Sequence, residues 1–377
     1  MRPPTAIRRS LPAVPRPGAH RLGPHRGARR PALRGCAQLT ASDVTLPFAW
    51  YSDEEQLRRE RTRIFARSWQ YVGRAEQVST PGSFLAADVG GIPVLATRDT
   101  AGELRAFINV CRHRGAVLTD GCGTRTTIQC NYHAWTYDLD GSLRAAPRSE
   151  REPEFDPADW SLLPASVGTW GPFLFVNPDP EAPTLEEHLG ELPGILARDI
   201  DIDAITFHSR VDFGSNANWK IAVENFLECY HCPTAHPGFS AEVDVHPDRY
   251  LLEAHPTFSA QFCSAKATGE RGQFHLLYPN TGLNVFPGPA NLSIGPISPN
   301  GTGRTERYLD YFFAPDVDPA WREEFFVFDD QVGREDTALV ESVHRGMASG
   351  VLDHGRLLRS AEPLLAAFQS WVAESLR

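Results

Sequence analysis

The chain has no apolar run approaching the roughly 18 residues that a membrane span requires, so a helical membrane protein is excluded. Cysteine is scarce, with seven in 377 residues, which argues against a disulfide framework and leaves metal ligation or buried thiols. No internal repeat and no dinucleotide-binding glycine fingerprint occurs. Acids are absent from residues 1–42, which hold nine Arg and seven Pro. The net charge of −10 is therefore +9 in that segment and −19 in the rest. An acidic body does not suit general nucleic-acid binding. The basic segment cannot bury enough apolar surface to offset its ordering entropy. Residues 1–45 are expected to be a disordered extension with no part in the chemistry; a targeting segment, a basic tail and a non-native upstream stretch are the alternatives.

Apolar content of 41% with 22% charge is that of a globular chain long enough for two or three domains. A helix is predicted to open at Ser52-Asp53-Glu54-Glu55, with Ser52 as cap. Short β-rich runs follow at 84–89, 92–97, 104–110, 126–129 and 173–176, separated by turns, and read as an antiparallel β domain. Beyond Pro178, Pro180 and Pro183, a helix is predicted over 185–197. Strands are predicted at 204–213, 250–254, 257–266, 272–277, 283–286, 291–294 and 307–313, and a long helix at 320–348. This order implies an α+β domain.

Two constellations carry chemistry. Cys111-x-His113 and Cys130-x-x-His133 place paired soft and imidazole donors on two loops. A tetrahedral zinc could use all four; a [2Fe–2S] cluster would take the cysteines on one iron and the histidines on the other. The tight Cys-x-His spacing favours the cluster. Cys122, between the pairs, is expected to be a buried thiol. The second constellation is Glu228, His231 and His236. Helical spacing would set Glu224, Glu228 and His231 on one face, and Pro233 must break the helix and can turn both imidazoles to one point. A two-histidine site needs a carboxylate to make an Fe(II) triad. Asp336 falls on the stripe Val332, Val340, Val343 of the late helix, where a carboxylate is costly without a cation. Glu335 is the alternative acid, about 100° away around the helix.

From about residue 46 onward the sequence resembles the α subunits of Rieske non-haem iron oxygenases, the aromatic-ring-hydroxylating oxygenases. Cys111-Arg-His113-Arg-Gly115 with Cys130-Asn-Tyr-His133-Ala-Trp135 carries the resemblance at one site. Glu224-Asn-Phe-Leu-Glu228-Cys-Tyr-His231, ending in His236-Pro237, carries it at the other. It implies an N-terminal antiparallel β Rieske domain over 46–180 and a helix-grip-like α+β catalytic domain over 181–377. The implied cofactors are a [2Fe–2S] Rieske cluster on Cys111, His113, Cys130 and His133, and mononuclear Fe(II) on His231, His236 and Asp336. The implied partners are an NAD(P)H-dependent reductase or ferredoxin, O2 and a small organic substrate. A homotrimer is implied as well, in which Glu228 links His133 of one subunit to His231 of the next. Glu at 228 is similar to members that oxidise choline, carnitine and betaines. Phe258, Phe262, Phe274, Tyr278, Phe286 and Tyr311 are candidates for an aromatic pocket, most of them expected to be core. A cytoplasmic location is expected. The competing readings are a Rieske electron-transfer protein without oxygenase activity and a zinc-stabilised binding module.

Overall fold

The structure, a computed structural model, describes residues 43–377; of the extension expected over 1–45, residues 1–42 lie outside the described residues. Residues 43–45 already join the fold. Val44 bridges Arg356, and the Thr45 N–H donates to Gly355 O at 3.1 Å.

Strands β1 (Gln70–Arg74), β2 (Ser83–Val89), β3 (Ile92–Arg98), β4 (Leu104–Ile108) and β5 (Cys122–Thr124) follow helix α1 (Glu54–Arg63). Then come β6 (Thr127–Gln129), β7 (Thr136–Asp138), β8 (Leu143–Ala145), β9 (Pro164–Trp170) and β10 (Phe173–Asn177). The N-terminal domain is an antiparallel sheet ordered β1-β10-β9-β4-β3-β2-β5, with β6-β7-β8 as a smaller sheet beside it. The second domain contains α2 (Leu185–Leu189), α3 (Leu192–Leu196), β11 (Thr206–Ser215), α4 (Trp219–Phe226), α5 (Cys232–Ala235) and α6 (Pro237–Glu242). Strands β12 (Leu251–Ala254), β13 (Phe258–Ser264), β14 (Arg271–Leu277), β15 (Thr281–Val285), β16 (Asn291–Pro299) and β17 (Thr305–Phe313) follow, then α7 (Pro319–Ala348) and α8 (Pro363–Ser375). Its sheet is antiparallel throughout, ordered β11-β17-β16-β15-β14-β13-β12. The predicted α+β class, with an antiparallel β domain first, is the observed one.

Alternation along the strands sends side chains to both faces of this second sheet. On one face Leu277, Leu283, Leu292, Ile294 and Phe312 pack with α2, α3 and Tyr71, Phe173 and Phe175 of the first domain. On the other, Phe274, Leu309, Tyr311 and Phe313 pack with Phe239 of α6 and Phe325 of α7. The candidate site lies on this second face.

Local chemistry explains the departures from the predicted elements. Asp53, not Ser52, caps α1 by accepting from the Glu55 N–H at 2.9 Å. The helix predicted over 185–197 is two, because Gly190 takes φ +53° after α2 and ends it. The structure adds α8, whose Leu364, Phe368 and Val372 are fully buried.

Beneath the site is a cluster with no access to solvent. Lys220 Nζ lies 2.7 Å from Glu60 Oε1, and Trp219 Nε1 donates to Glu60 Oε2 at 2.8 Å, tying α1 to α4. Glu224 does not share a face with Glu228 and His231. It turns into the same interior and accepts from Tyr51 Oη at 2.6 Å and Gln369 Nε2 at 2.9 Å. Burial pushes the Glu224 carboxyl up from its ordinary 4.5 to about 7. Between those values the folded chain keeps a proton that the unfolded chain has released, so stability falls as pH rises through that window. Glu224→Gln should remove the decline. Denaturant midpoints from pH 4.5 to 7.5 that fall equally in wild type and variant would contradict this.

Candidate metal centres and active site

The first constellation sits on two loops with matching hydrogen-bond frames. In one, Cys111 N–H donates to Ala116 O at 2.8 Å and Gly115 N–H to Cys111 O at 3.0 Å. In the other, Cys130 N–H donates to Trp135 O at 2.8 Å and Ala134 N–H to Cys130 O at 3.0 Å. Each frame needs a left-handed residue at its fifth position. Gly115 supplies it at φ +74° without cost, and Ala134 at φ +58° with some strain. The frames turn Cys111 and Cys130 into the domain and leave His113 and His133 at the surface. The two imidazoles are 4.7 Å apart, and Trp135 stacks on His113 at 5.0 Å. Tyr137 Oη lies 3.5 Å from Cys111 Sγ and accepts from the Arg112 N–H at 3.0 Å. Two thiols inside and two imidazoles outside is the division needed by a cluster whose one iron is held by a pair of cysteines and the other by a pair of histidines. Cys122 is exposed rather than a buried loop thiol, because β5 pairs only with β2 and leaves its side chain open.

The second constellation converges. Helix α4 ends at Phe226, a turn carries Glu228 to His231, and Pro233 starts the short helix α5, so the chain bends between the two histidines. His231 Nε2 and His236 Nε2 come within 3.1 Å of each other. Asp336 Oδ1 of α7 lies 2.9 Å from His236 Nε2 and 3.5 Å from His231 Nε2. The three donor atoms all lie within 4.8 Å of one another. Each imidazole uses its other nitrogen on a carboxylate: His231 Nδ1 on Glu228, and His236 Nδ1 on Glu335 Oε2 at 2.8 Å. A carboxylate at Nδ1 fixes the tautomer that leaves Nε2 with a lone pair. Three lone pairs aimed at one point suit a cation, and the donor set matches an open-sided Fe(II) triad.

Where no ion is bound at the point of convergence, the same acids attract a proton instead, and a metal ion would have to displace it. Burial works against charge on His231, but hydrogen bonds to Asp336 and Glu228 outweigh it and raise its pKa to about 9. Burial also opposes ionisation of Asp336, yet His231, His236 and Asn225 hold its carboxyl well below the usual range. Asn225 Nδ2 donates to Asp336 Oδ1 at 2.7 Å. Arg334 pairs with Asp330 and not with Asp336. The apolar stripe of α7 holds at Val340 but not at Val343, which is exposed. Glu335 is not the converging acid; it reaches His236 from the side.

The Rieske [2Fe-2S] domain family matches residues 68–160, and the ring hydroxylating alpha subunit (catalytic domain) family matches residues 202–270 and 252–377. The carnitine monooxygenase oxygenase subunit of Escherichia coli (strain K12) is 33% identical over 331 residues, 83% of this chain and 87% of that one. Choline monooxygenase, chloroplastic, of Beta vulgaris is 30% identical over 89% of this chain and 77% of its own. The chain belongs to the Rieske non-haem iron oxygenase α subunits. Among solved structures, the quaternary ammonium Rieske monooxygenase CntA in complex with L-carnitine is similar at TM-score 0.78 and 31% identity, covering 89% of this chain and 97% of that one. Naphthalene 1,2-dioxygenase with indole bound shares the fold at TM-score 0.72 and 19% identity. The chain is thus an oxidoreductase of a family that carries a Rieske cluster and mononuclear iron and works with a reductase or ferredoxin and O2.

In this Rieske oxygenase a cavity of about 150 Å³ opens beside His231, His236 and Asp336. Of the aromatics singled out in the sequence, Phe274 and Phe286 line it. Phe258 packs on the opposite face of the sheet, Tyr278 under α8, and Tyr311 bonds Asp329; Phe262 packs against the core. The wall is completed by Phe213, Phe226, Phe239 and Tyr250. Period-two alternation in β11 points to Phe213, but Phe226 and Phe239 stand in helices whose phase to the sheet no local pattern reveals. Cys229 and Cys232 are joined as a disulfide beside the site. No helix among the described residues is long and apolar enough to cross a membrane.

Proposed function

We propose that this subunit oxidises a small quaternary ammonium compound, hydroxylating a carbon beside nitrogen so that the adduct breaks down to an amine and a carbonyl. The observation that carries the reading is the convergence of His231, His236 and Asp336 at the end of an aromatic-walled cavity. Ring faces attract a methylated ammonium, and relatives named for carnitine and choline support that choice over an aromatic substrate. His231, His236 and Asp336 hold the mononuclear iron, and Cys111, His113, Cys130 and His133 hold the cluster. Bound there, the two centres supply O2 activation and single-electron delivery.

The protein's own groups set the stage. Glu228 and Glu335 hold the Nδ1 protons and keep the imidazoles aimed. Asn225 fixes the Asp336 carboxylate, and the aromatic wall keeps bulk water from the substrate. A homotrimer fits the surface: exposed Tyr132 flanks His133, and exposed Tyr230 flanks His231, so the tip of one subunit can cover the iron site of another. Glu228 would then accept from His231 and from the partner subunit's His133.

Substrate-dependent O2 uptake with L-carnitine, choline and aromatic acids, under a supplied reductase, tests the substrate. Uptake driven by aromatic acids alone would overturn the quaternary ammonium reading. Glu228→Gln should retain both metal centres yet slow product formation by about 10–100-fold. Reoxidation of the reduced cluster, followed by stopped-flow absorbance, should slow in step; unchanged reoxidation would remove Glu228 from the electron path.

A further inference from the structure

The cavity contains a cation that the iron chemistry leaves unused. Arg307 stands on β17, two residues from Leu309, and both line the cavity. Its Nε is buried and has no hydrogen-bond partner, and among the described residues Arg307 forms no ion pair. Its guanidinium lies 5.8 Å from the centre of the Phe213 ring. The neighbouring Arg210, by contrast, holds Asp310 through two hydrogen bonds of 2.7 Å. Asp329, an acid of the cavity wall, is committed to Tyr311 Oη at 2.5 Å. Other polar wall groups are also occupied: Gln261 donates to Phe226 O at 2.6 Å and accepts from Tyr250 Oη at 3.2 Å. Only Asn284 Oδ1 shares the condition of Arg307, buried in the wall and unpartnered.

A buried donor on a charged group is costly to leave unmade, and buried polar groups in folded chains are normally paired. A guanidinium with a free edge in an aromatic cavity is suited to a carboxylate, which it binds more strongly than any neutral acceptor. We propose that Arg307 is a substrate-anchoring residue that pairs with a carboxylate of the substrate, placing the opposite end of the molecule toward His231, His236 and Asp336. Asn284 Oδ1 then receives a hydroxyl or other donor carried between the two ends. This rests on the substrate reading above and narrows it: compounds with a carboxylate are selected, and a cation without one, such as choline, is not. The aromatic wall alone would not separate them, because ring faces treat the methylated ammonium of both alike.

The test pairs each carboxylate with its methyl ester, in which that end of the molecule carries no charge. Calorimetric titration of the metal-loaded enzyme with γ-butyrobetaine, 3-phenylpropionate and the methyl ester of each measures affinity without turnover. At least one acid should bind about 10–100-fold more tightly than its ester, as a charge-assisted hydrogen bond allows. Arg307→Gln should abolish that preference by weakening the acid and not the ester, and Arg307→Lys should keep part of it. Rieske absorption and iron content, equal in all three proteins, show that each is folded and loaded. Equal acid-to-ester ratios in wild type and Arg307→Gln, or no acid binding in wild type, would overturn the anchor. If only 3-phenylpropionate binds in an Arg307-dependent way, the anchor stands and the quaternary ammonium substrate falls.

Discussion

Asp336→Ala should abolish product formation and strip the mononuclear iron while the Rieske absorption remains. The carboxylate is the one donor of the triad that does not come from the His231–His236 segment, and it lies 2.9 Å from His236 Nε2. Without it, two imidazoles remain on an open site, and the loss should exceed the roughly 10–100-fold that removing an outer partner costs. Glu335→Ala supplies the contrast. It removes only the acceptor at His236 Nδ1, so it should fall within that range and retain iron. The comparison is read from the ratio of iron to acid-labile sulfide together with turnover. Iron retained in Asp336→Ala, or a deeper loss in Glu335→Ala, would reverse the assignment of the two acids.

Glu60→Ala should destabilise the fold by about 3–5 kcal/mol, the cost of leaving a buried charge unpaired. Lys220 and Glu60 are both fully buried, and Glu60 also accepts from Trp219 Nε1 and Gln56 Nε2. Burial lowers the Lys220 pKa, and Glu60 opposes the shift. Removing Glu60 therefore leaves the ammonium with Trp50 O, at 3.1 Å, as its hydrogen-bond acceptor, beside the ring faces of Tyr51 and Trp219. Replacing both partners by Met should restore most of the loss, because two matched apolar side chains avoid the desolvation of two charges. Urea unfolding followed by tryptophan fluorescence measures both. A single variant as stable as wild type would mean that the pair contributes nothing to joining α1 and α4.

The parts of the site that can be read from sequence are those with a rigid period or spacing. Cys111, His113, Cys130 and His133 announce themselves because short loops fix their donors relative to one another. Asp336 is legible because a long helix has a constant phase, and its place four residues from Val332 and from Val340 puts it on the inward side. The same rule misses the part played by Glu335: the 100° offset is real, but a glutamate is long enough to reach an imidazole lying beside the helix. The expected Glu224 face fails because α4 ends before Glu228, so helical phase carries no further. The aromatic wall is half-visible, since Phe274 and Phe286 are in or next to strands of clear alternation. Phe239 belongs to a six-residue helix, α6, whose direction is set only by packing. The fold class is legible because runs of short strands precede one long helix. α8 is not, because its buried side chains are specified by what the rest of the chain presents to it.

One consequence of α7 extends beyond catalysis. His236 and Asp336 are separated by 100 residues of chain, and that span includes the strands β12 to β17. An ion gripped by both would bind the folded chain and not the unfolded one, so its binding energy would add to folding across that loop. The metal would then serve as a structural rivet as well as a reactive centre. Chelation should loosen amide protection along α7 before it disturbs the strands of the N-terminal domain.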